Sequence, residues 1–205
     1  TLQQSSAASD VYKRQTYAPI LEAFFLIPVL ELFFKPSNKN ITEAEEEMSK
    51  NDISYDIILY MFIPIIYFLI WEFLVSMKEP ISTIDKIGRI LSMGLICGGF
   101  GINIAHELGH RNTKYEQFFS KVLLLPSLYM HFFIEHNRGH HKRVSTVEDP
   151  SSARFGENIF SFWFRAVSFV YLTAWNLENS RLKINGNNII SLKNEMLLYK
   201  LIQIL

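Results

Sequence analysis

Six histidines occur in this 205-residue chain, and all six fall between Asn103 and Pro150. Five form two compact boxes. The first reads His106-Glu107-Leu108-Gly109-His110, and the second reads Glu135-His136-Asn137-Arg138-Gly139-His140-His141. Neutral imidazole is a good ligand for Fe, Zn, Cu and Ni. On an α-helix His106 and His110 share a face, and so do His136 and His140. His141 is turned about a hundred degrees from His140. Such a set offers ligands to two neighbouring ions rather than one, and five imidazoles over-fill a tetrahedral zinc site.

The nearby polar residues divide into candidates and background. Glu107, Glu135, Glu148 and Asp149 could orient the ligating rings from behind, or could be ordinary acids at a membrane surface. Arg138, Lys142 and Arg143 could hold acidic partners, or mark the lipid headgroup level. His131 lies inside an apolar run, where a packing histidine is the expected reading. The His106-Glu107-x-x-His110 pattern literally satisfies the zinc-peptidase motif, with Glu107 as general base. The second box argues against that reading, because a peptidase needs one further ligand rather than three clustered histidines.

Long apolar runs must position these boxes. Tyr17–Phe34 is the first, interrupted by Glu22 and Glu31 and by Pro19 and Pro28. Ile57–Val75 is the cleanest, close to the roughly 20 residues a helical span needs. Ile90–Ala105, rich in small residues, delivers the first box, and small residues let membrane helices approach closely. Phe118–Ile134 delivers the second box. Ile159–Trp175 contains Arg165 and either spans or lies in the interface. The expected fold is therefore all-α, a polytopic transmembrane bundle with about four to five spans. Between the first two runs, Thr42 and Glu45 form a capping box for a short acidic helix.

Composition closes other routes. Lys and Arg number 20 and so do Asp and Glu, so the formal net charge is zero and no basic stripe suggests nucleic acid. The single Cys97 precludes a disulfide framework within the chain. Residues 1–15 are polar, lack the apolar core of a signal peptide and resemble a translated adapter rather than native sequence. Residues 16–205 form the expected domain. A new apolar run opens near Met196, and the chain is expected to be truncated within it.

The stretch NIAHELGHR, followed by HFFIEHNRGHHKRVSTVEDPSSARFGE, closely resembles the integral-membrane alkane 1-monooxygenases. The likeness runs from PVLELFFKP to SLKNEMLLY. It implies a membrane helical bundle with a non-haem di-iron centre that hydroxylates terminal carbons of alkanes. One atom of O2 would enter the substrate and the other would leave as water. Electrons would come from rubredoxin and its NAD(P)H-dependent reductase. The family's ligands map onto His106, His110, His136, His140 and His141. A bacterial inner (cytoplasmic) membrane is implied, with the boxes on its cytoplasmic side. A third histidine box lies beyond Leu205 in that family, so residues 1–205 alone are expected to be inactive. The alternatives are a fatty-acyl desaturase or hydroxylase, a xylene-type hydroxylase, a membrane zinc peptidase, or a non-catalytic metal-binding or transport protein.

Overall fold

The computed structural model describes residues 15–34, 39–50 and 52–205, and every regular element among them is helical. The expectation for residues 1–15 thus falls outside the described residues, apart from Gln15. Two compact units divide the chain, one ending at Ile104 and the other running from Ala105 to Leu205.

In the first unit, helix α1 (Gln15–Phe33) opens with a 3-10 turn, carries Pro19 in its first α turn and widens into a π turn at Glu22–Leu26. Pro28 follows two residues later; lacking an N–H, it would press its ring on the Phe24 carbonyl in a regular helix. Helix α2 (Glu43–Lys50) has the expected capping box. The Thr42 N–H donates to Glu45 Oε2 (2.8 Å), and the Glu45 N–H donates to Thr42 Oγ1 (3.3 Å). Helix α3 (Ile53–Ser76) is capped by Asp52 and is apolar almost throughout. Helix α4 (Thr83–Gly109), whose residues from Ala105 on belong to the second unit, is capped by Ser82 and passes through a π turn at Cys97–Ile102, a glycine-rich stretch.

Small residues set how α1 meets α4. A Cβ on Gly88 would lie 2.6 Å from Thr16 Oγ1 and from the Tyr17 ring. Ser92 Oγ donates to the Thr16 carbonyl (2.6 Å), and the Tyr17 hydroxyl donates to the Ile84 carbonyl (2.7 Å). Three helices among the described residues, α1, α3 and α4, are long and apolar enough to cross a membrane. Their outward side chains include Phe24, Phe25, Ile57, Phe68, Trp71 and Leu74, all exposed. An apolar surface of that extent is a lipid-facing one. The chain is a membrane protein.

The second unit departs from the expected sequence of spans. Residues 118–134 do not form one helix. Helix α5 (Lys114–Leu124) ends in turns through Pro126, and Leu128 adopts φ 52°. A left-handed leucine is unusual and breaks any helix there. Helix α6 (residues 132–143) then begins; its middle, His136–His140, is a π turn. After a loop, α7 (Ile159–Ile184) starts at the Asn158 cap and ends at Gly186, φ 65°. Helix α7 carries Arg165, Glu178 and Arg181 along its length, and α6 lies against it. Helix α8 (Glu195–Ile204) is capped by Asn194, whose side chain accepts from the Met196 and Leu197 N–H groups. Leu108, Leu123, Leu124, Ile134, Leu182 and Met196 form the fully buried core of this unit.

Candidate metal centre

The first box occupies the final turn of α4 and the residue beyond it. Two contacts fix that turn against α5: Ser120 Oγ donates to the Ala105 carbonyl (2.6 Å), and Gly109 leaves room for Ser120 Oγ, 3.1 Å from where its Cβ would be. The second box is the π turn of α6. Four rings converge. His106 Nε2 lies 3.0 Å from His110 Nε2, which is 3.2 Å from His136 Nε2, which is 3.0 Å from His141 Nε2. All four ligand atoms lie within 4.8 Å of one another.

This grouping revises the helical geometry expected for the second box. On an α-helix His136 would share a face with His140. The π turn has more residues per turn, so it brings His136 over His141 instead. His140 stands beside the group, its ring centroid 5.3 Å from that of His136 and 5.8 Å from that of His141.

The donor set fits a transition-metal ion. Two nitrogens each about 2.1 Å from a common ion at right angles lie about 3.0 Å apart, and the observed separations are close to that. Imidazoles can hold their lone pairs toward one point only when neutral. Burial, followed by the neighbouring His106, His141, His110 and His140, pushes His136 down to about 3. Burial, then His106 and His141, lowers His110 as well. Both rings are therefore neutral at pH 7 and their nitrogens are available to a cation. Phe132 stacks on His136 (centroids 4.7 Å) and tilts against His106 (6.3 Å), giving the cluster an apolar wall.

The four acidic candidates have different surroundings. Asp149 is buried and accepts from His140 Nδ1 (2.9 Å), Ser151 N–H and Ser152 Oγ. Burial opposes its ionisation, but these donors outweigh burial and hold the carboxyl below its usual range. An ionised Asp149 only accepts, so it holds a proton on His140 Nδ1 and turns Nε2 away from itself. Glu135 is buried 3.7 Å from Arg143, and burial raises it to about 6. Glu107 pairs with Arg111 at 3.1 Å, and Glu148 is exposed. A Glu107 engaged by Arg111 is not poised as the base of a peptidase.

Sequence reasoning named Arg138 as able to hold acidic partners but passed over the partners themselves, which hold the second box from behind. Arg138 donates to Glu178 Oε2 (3.2 Å) and Glu195 Oε2 (2.7 Å), tying α6 to α7 and α8. Glu178 is fully buried and also accepts a bidentate pair from Arg181. Lys121 lies 3.6 Å from Glu195. The only signal was their charge. His131, read as a packing residue, is buried edge-on between Tyr129 and Tyr171 and is absent from the four-ring group.

The family model described as fatty acid desaturase matches residues 87–205, more than half of the chain. The chain belongs to that family. Within it, the chain is similar to alkane 1-monooxygenases. It is 39% identical to that of Acinetobacter baylyi over 84% of this chain and 42% of the relative. It is 34% identical to alkane 1-monooxygenase 1 of Alcanivorax borkumensis over 84% of this chain and 43% of the relative. It is also 34% identical to alkane 1-monooxygenase 2 of Pseudomonas aeruginosa, over 94% and 52%. The chain thus spans about half the length of the curated relatives it matches. Membership in the desaturase family and the imidazole cluster agree on a metal-dependent membrane protein.

Proposed function

We propose that this chain belongs to an alkane 1-monooxygenase, which converts alkanes to 1-alkanols using O2, and that it carries two of its histidine boxes. Two non-haem iron ions are the metals, and rubredoxin, served by an NAD(P)H-dependent reductase, is the electron donor. The membrane is the bacterial inner membrane, with the boxes on the cytoplasmic side. The observation that carries this reading is the convergence of His106, His110, His136 and His141 in a chain 31–39% identical to proteins of that name. His140 is the fifth ligand, presented to the second ion.

When bound, iron supplies the oxidising power that an unactivated C–H bond requires. The chain's own residues do the rest. Neutral imidazoles hold their nitrogens toward the metal position, and Asp149 retains the proton on His140 Nδ1. Phe132 keeps one side of the cluster apolar, which favours a hydrocarbon over water. The exposed apolar faces of α1, α3 and α4 keep the protein in the phase into which an alkane partitions.

The family description favours one second reading, action on a fatty-acyl chain. A single experiment separates the two. The full open reading frame is expressed in cells supplying rubredoxin and its reductase, and alkanes and fatty acids are fed under isotopically labelled O2. A 1-alkanol carrying the label is the expected product. Desaturated or hydroxylated acyl chains with untouched alkanes would move the assignment to the second reading, and unlabelled products would exclude oxygenation.

A further inference from the structure

Arg165 is a cation in the apolar first half of α7, and its side chain is only 13% exposed. Its guanidinium is used on three sides. Nε and Nη2 donate to the two carboxylate oxygens of Glu157 at 2.7 and 2.6 Å. Nη1 donates to the Pro150 carbonyl at 3.0 Å, and Nη2 also donates to the Ser152 carbonyl at 2.9 Å. The loop it grips is the one that carries Asp149. Asp149 and Pro150 are buried although they lie outside any regular element, and buried loop carbonyls need donors from elsewhere. Arg165 supplies two of them. The Asp149 carboxylate is in turn fixed by Ser151 N–H and Ser152 Oγ, which leaves its Oδ2 on His140 Nδ1.

We propose that Arg165, with Glu157, is a positioning residue for the metal centre: it clamps the 149–152 loop so that Asp149 sets the orientation and tautomer of His140. The inference rests on the reading of His140 as a metal ligand. An arginine suits this place. A planar fork can bind a carboxylate with two bonds and still reach two carbonyls, whereas a lysine ammonium cannot.

The test uses the full protein in detergent. Metal binding is followed with Co(II) as a coloured probe and hydrogen exchange is followed at residues 144–158. Arg165→Met and Arg165→Lys are expected to weaken one metal equivalent by about 10–100-fold, the range for lost partners behind a ligand. They should leave the equivalent held by His106, His110, His136 and His141 intact. Exchange of the Ser151 and Ser152 amides should accelerate about tenfold or more as the clamp is lost. His140→Ala should abolish the same equivalent, and adding Arg165→Met to it should cost nothing further. Glu157→Gln, which keeps the shape of the site, should move both readouts in the same direction and carries the test if Arg165→Met does not fold. Equal weakening of both equivalents would mean a merely structural role, and unchanged binding and exchange would overturn the clamp. A wild-type protein that takes up no metal would sink the metal reading, while the exchange data would still decide whether Arg165 holds the loop.

Discussion

Replacing Glu178 by Gln tests whether the buried charges behind the second box hold it in place. Each Glu178 oxygen accepts two bonds. Oε1 takes Arg181 Nη2 and the Glu195 N–H, and Oε2 takes Arg181 Nε and Arg138 Nη1. An amide NH2 in place of either oxygen loses two acceptor positions. Bonds to charged groups contribute about 1.5–3 kcal/mol each. Arg138 and Arg181 are 36% and 37% exposed and recover water, so the low end applies. The loss is then about 3 kcal/mol, in line with breaking a buried ion pair. For a chain of this size that lowers the thermal midpoint by roughly 6–12 °C. Unfolding of wild type and Glu178→Gln in the same detergent at pH 7 measures it. Burial opposes ionisation of Glu178, but the Arg181 and Glu195 donors outweigh it and lower the carboxyl below 4.5. Its contribution is therefore present above about pH 4.5 and fades as pH falls through the folded value, where the two proteins should converge. A deficit under roughly 2 °C at pH 7 would show that these buried charges do not hold the second box in place.

Three further outcomes are expected. His131 is buried and burial, then Lys200, pushes it down to about 4. The unfolded chain takes up the proton first, so stability should fall by about 3 kcal/mol as pH drops from 6.5 to 4. His131→Phe should remove that part of the pH profile, and a profile unchanged by the substitution would count against it. A Cβ on Gly139 would meet Glu135 Oε1 at 2.7 Å, Arg143 Nη2 at 2.8 Å and Leu177 Cδ1 at 2.9 Å. Gly139→Ala should cost about 1–3 kcal/mol by overpacking, read from denaturant midpoints, and a midpoint at wild-type level would show that the three side chains yield freely. His106→Ala should weaken the metal equivalent bound by the four-ring group, whereas His140→Ala should spare it; metal counts per chain would contradict this if the two variants behaved alike.

Helical class, the first three spans and the clustering of histidines were legible because each is local: apolar run length, capping residues and ligand spacing. The fourth run misled because hydrophobicity does not record backbone breaks. Pro126 hinted at one, but nothing marked Leu128 as left-handed. The second box misled in a different way. Its i, i+4 spacing matches an α-helix, and the π turn that pairs His136 with His141 arises where Gly139 fits under Glu135 and Arg143. Arg165 stood out as a charge in an apolar run, whereas Glu178, at the polar end of its helix, did not. Their partners could not be read, since Arg165 reaches loop carbonyls 13 and 15 residues away and Glu178 meets Arg138 across 40 residues.

We propose above that the four converging imidazoles hold iron. The most direct measurement is metal analysis with Mössbauer spectroscopy of the full-length protein purified from iron-57-grown cells, beside His136→Ala. Iron bound through nitrogen donors as a coupled pair is the expected result, with the pair lost in the variant because His136 Nε2 lies between those of His110 and His141. Zinc in place of iron, or an iron signal indifferent to His136, would contradict it.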